Sequence, residues 1–207
     1  MNIVLIEHPD EDAWMSVKVR ALVTDGKEAK TPPTSEWRRR MLEARHSPIR
    51  YLRYSFLLHQ IPYWVSVHLC RHVHAQPYVR SQRNDRQQEY DRNSAPQDAP
   101  VDMILDVNAE ELMVMANKRL CMKASEETRD AVTAMCRLAE DATPELRGLL
   151  VPMCEYHGGV CHEMFPCGKY PAGFRVGCSL RDSGGGPCQG KPACWEQNQT
   201  PGDPALK

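Results

Sequence analysis

Arg71-His72-Val73-His74-Ala75-Gln76-Pro77-Tyr78-Val79-Arg80-Ser81-Gln82-Arg83 is the stretch on which the reading of this chain turns. Upstream of it, Tyr63 to about His72 reads as a helix opened by Pro62, because proline is tolerated in a first turn. The stretch therefore covers a helix end and the loop that follows. Its arginines can pair bidentately with a phosphate, and its serine and loop amides add neutral donors. That set suits an anionic ligand. A solvated basic loop has the same composition, so composition alone leaves both readings open.

Working outward, Asn2 to Ile6 is short and β-branched and predicts a first strand. Met15 to Val23 predicts a short helix, and Thr31-Pro32-Pro33 a break. Ser35 predicts the cap of a helix through Ala44, with Trp37, Met41 and Ala44 on one face. His46-Ser47-Pro48 ends it, since a residue before proline avoids the α region. Ile49 to Leu58 alternates imperfectly and predicts a half-buried strand. Asn108 with Glu111 has the spacing of a capping box and introduces a helix to about Thr128. Ala131 to Ala139 extends that helix or starts another, ending near Pro144. From Cys154 onward glycine, proline and cysteine dominate. The expected division is one catalytic domain over 1–169 and an irregular tail over 170–207.

The 207 residues are 42% apolar and 26% charged, with a formal net charge of -1. A near-neutral balance argues against nucleic acid or anionic membrane as the partner, since both want a strongly basic surface. Acidic residues soon interrupt the apolar N-terminus, so no signal peptide is expected there. Phe56 to Cys70 carries His59, Gln60, Pro62 and His68, too polar for a membrane span. A soluble cytoplasmic protein is expected, with its nine cysteines as reduced thiols. Cys154, His157, Cys161, His162 and Cys167 are metal-capable types, with Cys178, Cys188 and Cys194 beyond. No Cys-x-x-Cys pair occurs, so no metal is expected.

Spacing separates the two readings of the opening stretch. It resembles the signature of the flavin-dependent thymidylate synthases, Arg-His-Arg, seven residues, then Ser. Arg71 and His72 match, Val73 replaces the second arginine, and Ser81 falls at the required place, continued by Arg83. A second block, Asn108-Ala109-Glu110 with Arg119 eleven residues after Asn108, resembles the family's Asn-Ala-Arg helix. Eleven residues is about three turns, so Asn108 and Arg119 share a face. Weaker echoes are Arg20 to Thr24, Trp37 to Tyr51 with His46-Ser47-Pro48, Tyr63 to His72, and Cys167-Gly168-Lys169. The likeness covers roughly residues 16–170.

The resemblance implies a mixed α/β fold, a central sheet flanked by helices, and a homotetramer with active sites between subunits. It implies FAD as cofactor, NADPH as reductant and methylenetetrahydrofolate as carbon donor, converting dUMP to dTMP. By position, Ser81, Gln82, Arg83 and Arg92 would hold the nucleotide phosphate, with His68 beside it. Arg119 would face the uracil carbonyls, where a fixed cation stabilises charge developing on the ring. Arg71, His72 and Asn108 would contact FAD, with Thr24 and Ser47 as further candidates. Several positions depart from the family pattern. Besides Val73, Tyr78-Val79 replace Asn-Glu, Arg50-Tyr51 stand where Glu-His is usual, Glu110 replaces a flavin-contacting Arg, and Val114 replaces Asn or His. The alternatives are a related flavoenzyme that alkylates another pyrimidine nucleotide, and a non-catalytic nucleotide-binding relative.

Overall fold

The computed structural model describes residues 1–83, 85–86 and 91–173. Its centre is a four-stranded antiparallel sheet in the order β1-β2-β4-β3, formed by β1 (Asn2–Glu7), β2 (Arg53–Pro62), β3 (Gln76–Val79) and β4 (Pro100–Asn108). Around it lie α1 (Glu11–Val23), α2 (Ser35–Glu43), α3 (Tyr63–Leu69), α4 (Ala109–Arg119), α5 (Glu126–Ala142) and the single turn α6 (Met153–Tyr156). The mixed α/β architecture expected from the sequence is the one observed. Residues 174–207, most of the expected tail, lie outside the described residues.

The sheet is amphipathic by its period of two. Along β4, Val101, Met103, Leu105 and Val107 are buried, while Asp102, Ile104, Asp106 and Asn108 turn the other way. The buried set faces Ile61, Leu58, Phe56 and Tyr54 of β2 in register. Leu112, Met115 and Ala116 of α4 and Val132, Met135 and Ala139 of α5 complete that core. The Tyr54 hydroxyl, deep in it, hydrogen-bonds Thr143 Oγ1 at 2.9 Å, so its polar end is not stranded. On the opposite face Val4, Leu57, Ile104 and Tyr78 stand directly across from one another through all four strands. Val4, Ile104 and Tyr78 there are exposed.

Several boundaries differ from the sequence expectation, each for a local reason. Helix α1 starts at Glu11 rather than Met15, because Asp10 caps it by accepting from the Ala13 amide at 2.8 Å. Thr34, not Ser35, caps α2. The strand expected from Ile49 begins at Arg53, since Pro48 instead seeds a 3₁₀ turn over Ser47–Tyr51 that buries Ile49. The helix expected from Asn108 to Thr128 breaks after Arg119. A turn follows, and a new helix begins behind Ser125 with acidic Glu126 and Glu127 in its first turn. Strands β3 and β4 were not anticipated, although the alternation in β4 is plain in the residues.

Two joints aim the site. A bulge in β2 places Gln60 at φ 55°, where the Asp102 carboxylate accepts from the Gln60 amide at 3.0 Å. That amide, more than neighbouring His59, holds the Asp102 carboxyl below its usual range. The bend turns the chain into α3, which delivers Arg71 and His72. The second joint is Asn108, the last residue of β4 and the cap of α4, its Oδ1 accepting from the Glu111 amide at 2.9 Å. Leu105→Ala, at a fully buried central position, is expected to lower unfolding free energy by about 2–5 kcal/mol, read as a fall in denaturant midpoint.

Candidate active site

The two sequence blocks converge. A cleft of about 660 Å³ is lined by Arg71, His72, Val73 and His74 after α3, by Asn108, Glu110, Glu111, Val114, Lys118 and Arg119 along α4, and by Arg50. Four cations face two carboxylates across this lining, so its balance favours an anionic ligand. Its volume falls within the range of small-molecule sites.

The centre of the cleft wall is a polar chain. His72, 7% exposed, meets the Glu111 carboxylate through Nδ1 at 2.8 Å, and Glu111 is itself 4% exposed. On the other side of the ring, Arg119 Nε donates to His72 Nε2 at 3.1 Å. Arg119 Nη2 also donates to the His68 carbonyl at 2.7 Å, so two bonds hold the guanidinium. His68 Nδ1 lies 3.0 Å from Thr128 Oγ1, to which Ser125 Oγ donates at 2.9 Å. Burial pushes the His72 imidazole below its ordinary value; the Glu111 carboxylate opposes that and Arg119 adds to it. His68 is lowered too, by burial and then by Arg119 and Arg71. Burial, then repulsion from Arg71, lowers Arg119.

The sequence marks Glu111 only as the third residue of a capping box. Its amide takes the Asn108 cap, but its carboxylate goes to His72. A carboxylate on the buried face of α4 is the signal that marks it, since Glu is rarely buried unless paired. Both nitrogens of His72 are occupied within the protein, which leaves the ring no polar atom for a ligand. Two departures from the family pattern also meet: Arg50 Nε donates to Glu110 as an ion pair at the cleft. Arg50 thereby brings a guanidinium to the wall that Glu110 lines.

The remaining expected site residues lie elsewhere. Ser81, Gln82 and Arg83 follow β3 and do not line the cleft. Arg83 forks onto Asp85 at 2.9 and 2.6 Å, and its amide donates to Ser81 Oγ at 3.3 Å. Arg92 is exposed on the segment leading to β4. Thr24 closes α1 with its hydroxyl donating to the Ala21 carbonyl at 2.7 Å, and Ser47 opens the 3₁₀ turn that carries Arg50. His68 touches the chain through its carbonyl rather than as a cleft wall. Among the described residues no group of three or more His, Cys, Asp or Glu is arranged to hold a metal ion, and no helix is long and apolar enough to cross a membrane. Cys178, Cys188 and Cys194 lie outside the described residues.

Two consequences follow for stability. His72 and His68 have lowered values in the fold, so the unfolded chain binds more protons near pH 6. Their contribution is complete above an ordinary histidine value of about 6.5 and is lost as pH falls through the folded values. The denaturant midpoint is therefore expected to fall between about pH 7 and pH 5, and His72→Gln to flatten that fall. Glu111→Ala is expected to cost about 1–3 kcal/mol, because the His72 ring then loses a buried partner.

The family model described as thymidylate synthase complementing protein matches residues 84–145, which include Asn108 and Arg119. No curated protein matches the chain by sequence. Among solved structures, the flavin-dependent thymidylate synthase ThyX of Helicobacter pylori, complexed with FAD and dUMP, superposes with a TM-score of 0.61 at 14% identity, over 73% of this chain and 100% of that one. A second structure of that enzyme with FAD and dUMP gives 0.59 at 15% identity, over 72% and 97%. The UMP/dUMP methylase PolB of Streptomyces cacaoi, bound with 5-Br dUMP, gives 0.57 at 14% identity, over 72% and 93%. The chain therefore has the fold of the flavin-dependent thymidylate synthases, and its residues 84–145, which hold α4 and α5, are similar to the thymidylate synthase complementing protein model.

Proposed function

We propose that this chain is a flavoenzyme that methylates a pyrimidine nucleotide, converting dUMP to dTMP with FAD, NADPH and methylenetetrahydrofolate. One observation carries the reading: Arg71-His72 and Asn108 to Arg119, matched separately by spacing, build one cation-rich cleft. The solved neighbours with this fold hold FAD and dUMP or a brominated dUMP.

The cleft's lining suits FAD, whose phosphates want cations and whose ring system wants a partly apolar wall. Arg50, Arg71 and Lys118 supply the charge, and Val73 and Val114 the apolar surface. When bound, the flavin would supply the hydride chemistry. The protein's task is then to bind, orient and polarise. Arg119, held at two nitrogens, would present a fixed cation to the uracil carbonyls. Asn108 would contact the cofactor from the start of α4, with Thr24 and Ser47 near its far end.

Ser81, Gln82, Arg83 and Arg92 fit this reading as phosphate ligands given to a neighbouring subunit of a homotetramer. Supporting that, their loop directly follows β3, whose Tyr78 belongs to the apolar row Val4, Leu57, Ile104 and Tyr78 on the open sheet face. A second copy covering that row would receive the loop. Swapping Arg83 from Asp85 to a phosphate exchanges one exposed ion pair, worth roughly 0–1 kcal/mol, for a stronger charge-assisted contact.

A second reading keeps the flavin and changes the base or sugar. It is favoured by Tyr78-Val79 beside the phosphate loop and by a neighbour whose substrates include UMP as well as dUMP. Tritium release from 5-labelled nucleotides, with FAD, NADPH and methylenetetrahydrofolate, separates the two. The first predicts release from dUMP; release from UMP or dCMP alone overturns it in favour of the second. A chain that takes up no flavin and releases no tritium is a binding protein instead. Arg119→Ala is expected to lower kcat by about 10²–10³-fold, the cost of removing one charge-stabilising donor. Ile104→Lys is expected to reduce the oligomer to smaller species in sedimentation velocity.

A further inference from the structure

We propose that Glu111 is a positioning residue: it fixes His72 as the neutral tautomer protonated on Nδ1, and through that ring aims Arg119 into the cleft. The proposal rests on the reading of Arg119 as the cation that faces the base. It adds the residue that sets the direction of Arg119, which neither sequence block contains as a site residue.

Donors and acceptors around the ring allow one arrangement only. Glu111 Oε1 can only accept while ionised, so the 2.8 Å contact requires a proton on His72 Nδ1. Arg119 Nε–H can only donate, so the 3.1 Å contact requires a lone pair on His72 Nε2. The Nε2-protonated tautomer would set acceptor against acceptor at Glu111 and donor against donor at Arg119. The imidazolium would keep the Glu111 bond but oppose N–H to N–H at Arg119. Only one protonation state satisfies both sides. The groups facing the ring are Glu111 and Arg119 from α4, with Arg71 adjoining in sequence and His68 on α3, and Arg119 disfavours an imidazolium as well.

The orientation matters because Arg119 stands at the last turn of α4, next to the break at Leu120. The His68 carbonyl holds one of its terminal nitrogens, and the His72 ring holds the nitrogen nearest its stem. Without the second bond the guanidinium can pivot about the first. A carboxylate two turns earlier on the same helix therefore sets the direction of the cation through an imidazole from another element.

Nitrogen-15 NMR of histidine side chains in the full, ligand-free chain at about pH 7.5, where an unperturbed imidazole is mostly neutral, tests this. His72 is assigned by the loss of its signals in His72→Gln. The expected result is a neutral ring with its proton on Nδ1, and redistribution of that proton toward Nε2 in Glu111→Leu. An imidazolium, an Nε2-protonated ring, or an unchanged tautomer in folded Glu111→Leu overturns the proposal. This arm stands whether or not the chain methylates a nucleotide, so its failure is distinct from failure of the flavin reading. In turnover, Glu111→Leu is expected to lower kcat by about 10²-fold through misplacement of Arg119, with KM for the nucleotide changed far less. Glu111→Gln keeps the acceptor and removes the charge, so it is expected to retain kcat within about tenfold and to shift the acid limb of the pH profile to lower pH. An acid limb that does not move in Glu111→Gln, with kcat intact, contradicts the relay.

Discussion

The meeting of His72 with Glu111 and Arg119 ties the segment after α3 to the length of α4, and both line the cleft. A carboxylate as buried as Glu111 costs several kcal/mol if left alone. The contact with His72 offsets that cost, and Arg119 completes the far side of the ring. The three side chains therefore serve the fold and the site together: what keeps the carboxylate from being a liability also points a guanidinium at the opening. Arg71, Lys118 and the Arg50–Glu110 pair line the same cleft.

The sheet provides the rigid base for this arrangement. Strands β2 and β4 pair along nearly their whole length, and each leads directly into a helix that builds the cleft: β2 through its bulge into α3, β4 through Asn108 into α4. A site carried on the ends of paired central strands moves little, and Arg119 is further held there by its two hydrogen bonds. The 3₁₀ turn at Ser47–Tyr51 brings in the third side, and Arg20 lies 3.9 Å over the Tyr51 ring to anchor it against α1.

Much of this was legible in the residues. The spacing of Arg71-His72 and of Asn108 to Arg119 is a record of geometry, because two fragments far apart in sequence must each present charge at one place. Glu111 was misread because capping chemistry and burial look alike at that position: Asn-x-x-Glu is a cap pattern whether the carboxylate turns back to the chain or inward to a histidine. Arg50 and Glu110, sixty positions apart, read as unrelated and form one ion pair, which no single position reveals. Strand β4 went unseen because aspartates sit in its outward positions and blur an otherwise regular alternation. Break and restart at 120–125 were visible only in Ser125-Glu126-Glu127, a cap signal inside what reads as continuous helix. The positions of Ser81 and Arg83 on a separate loop follow from β3, which sequence did not anticipate.

The central claim is that this cleft receives a flavin beside a nucleotide whose base meets Arg119. A crystal structure of the full chain grown with FAD and dUMP tests it most directly. The account predicts the isoalloxazine between Arg71 and Asn108, the uracil carbonyls within hydrogen-bond reach of Arg119, and the nucleotide phosphate on Ser81 and Arg83 of an adjoining subunit. A nucleotide bound away from Arg119, or a flavin seated outside the cleft that Arg71 and Asn108 line, would contradict it.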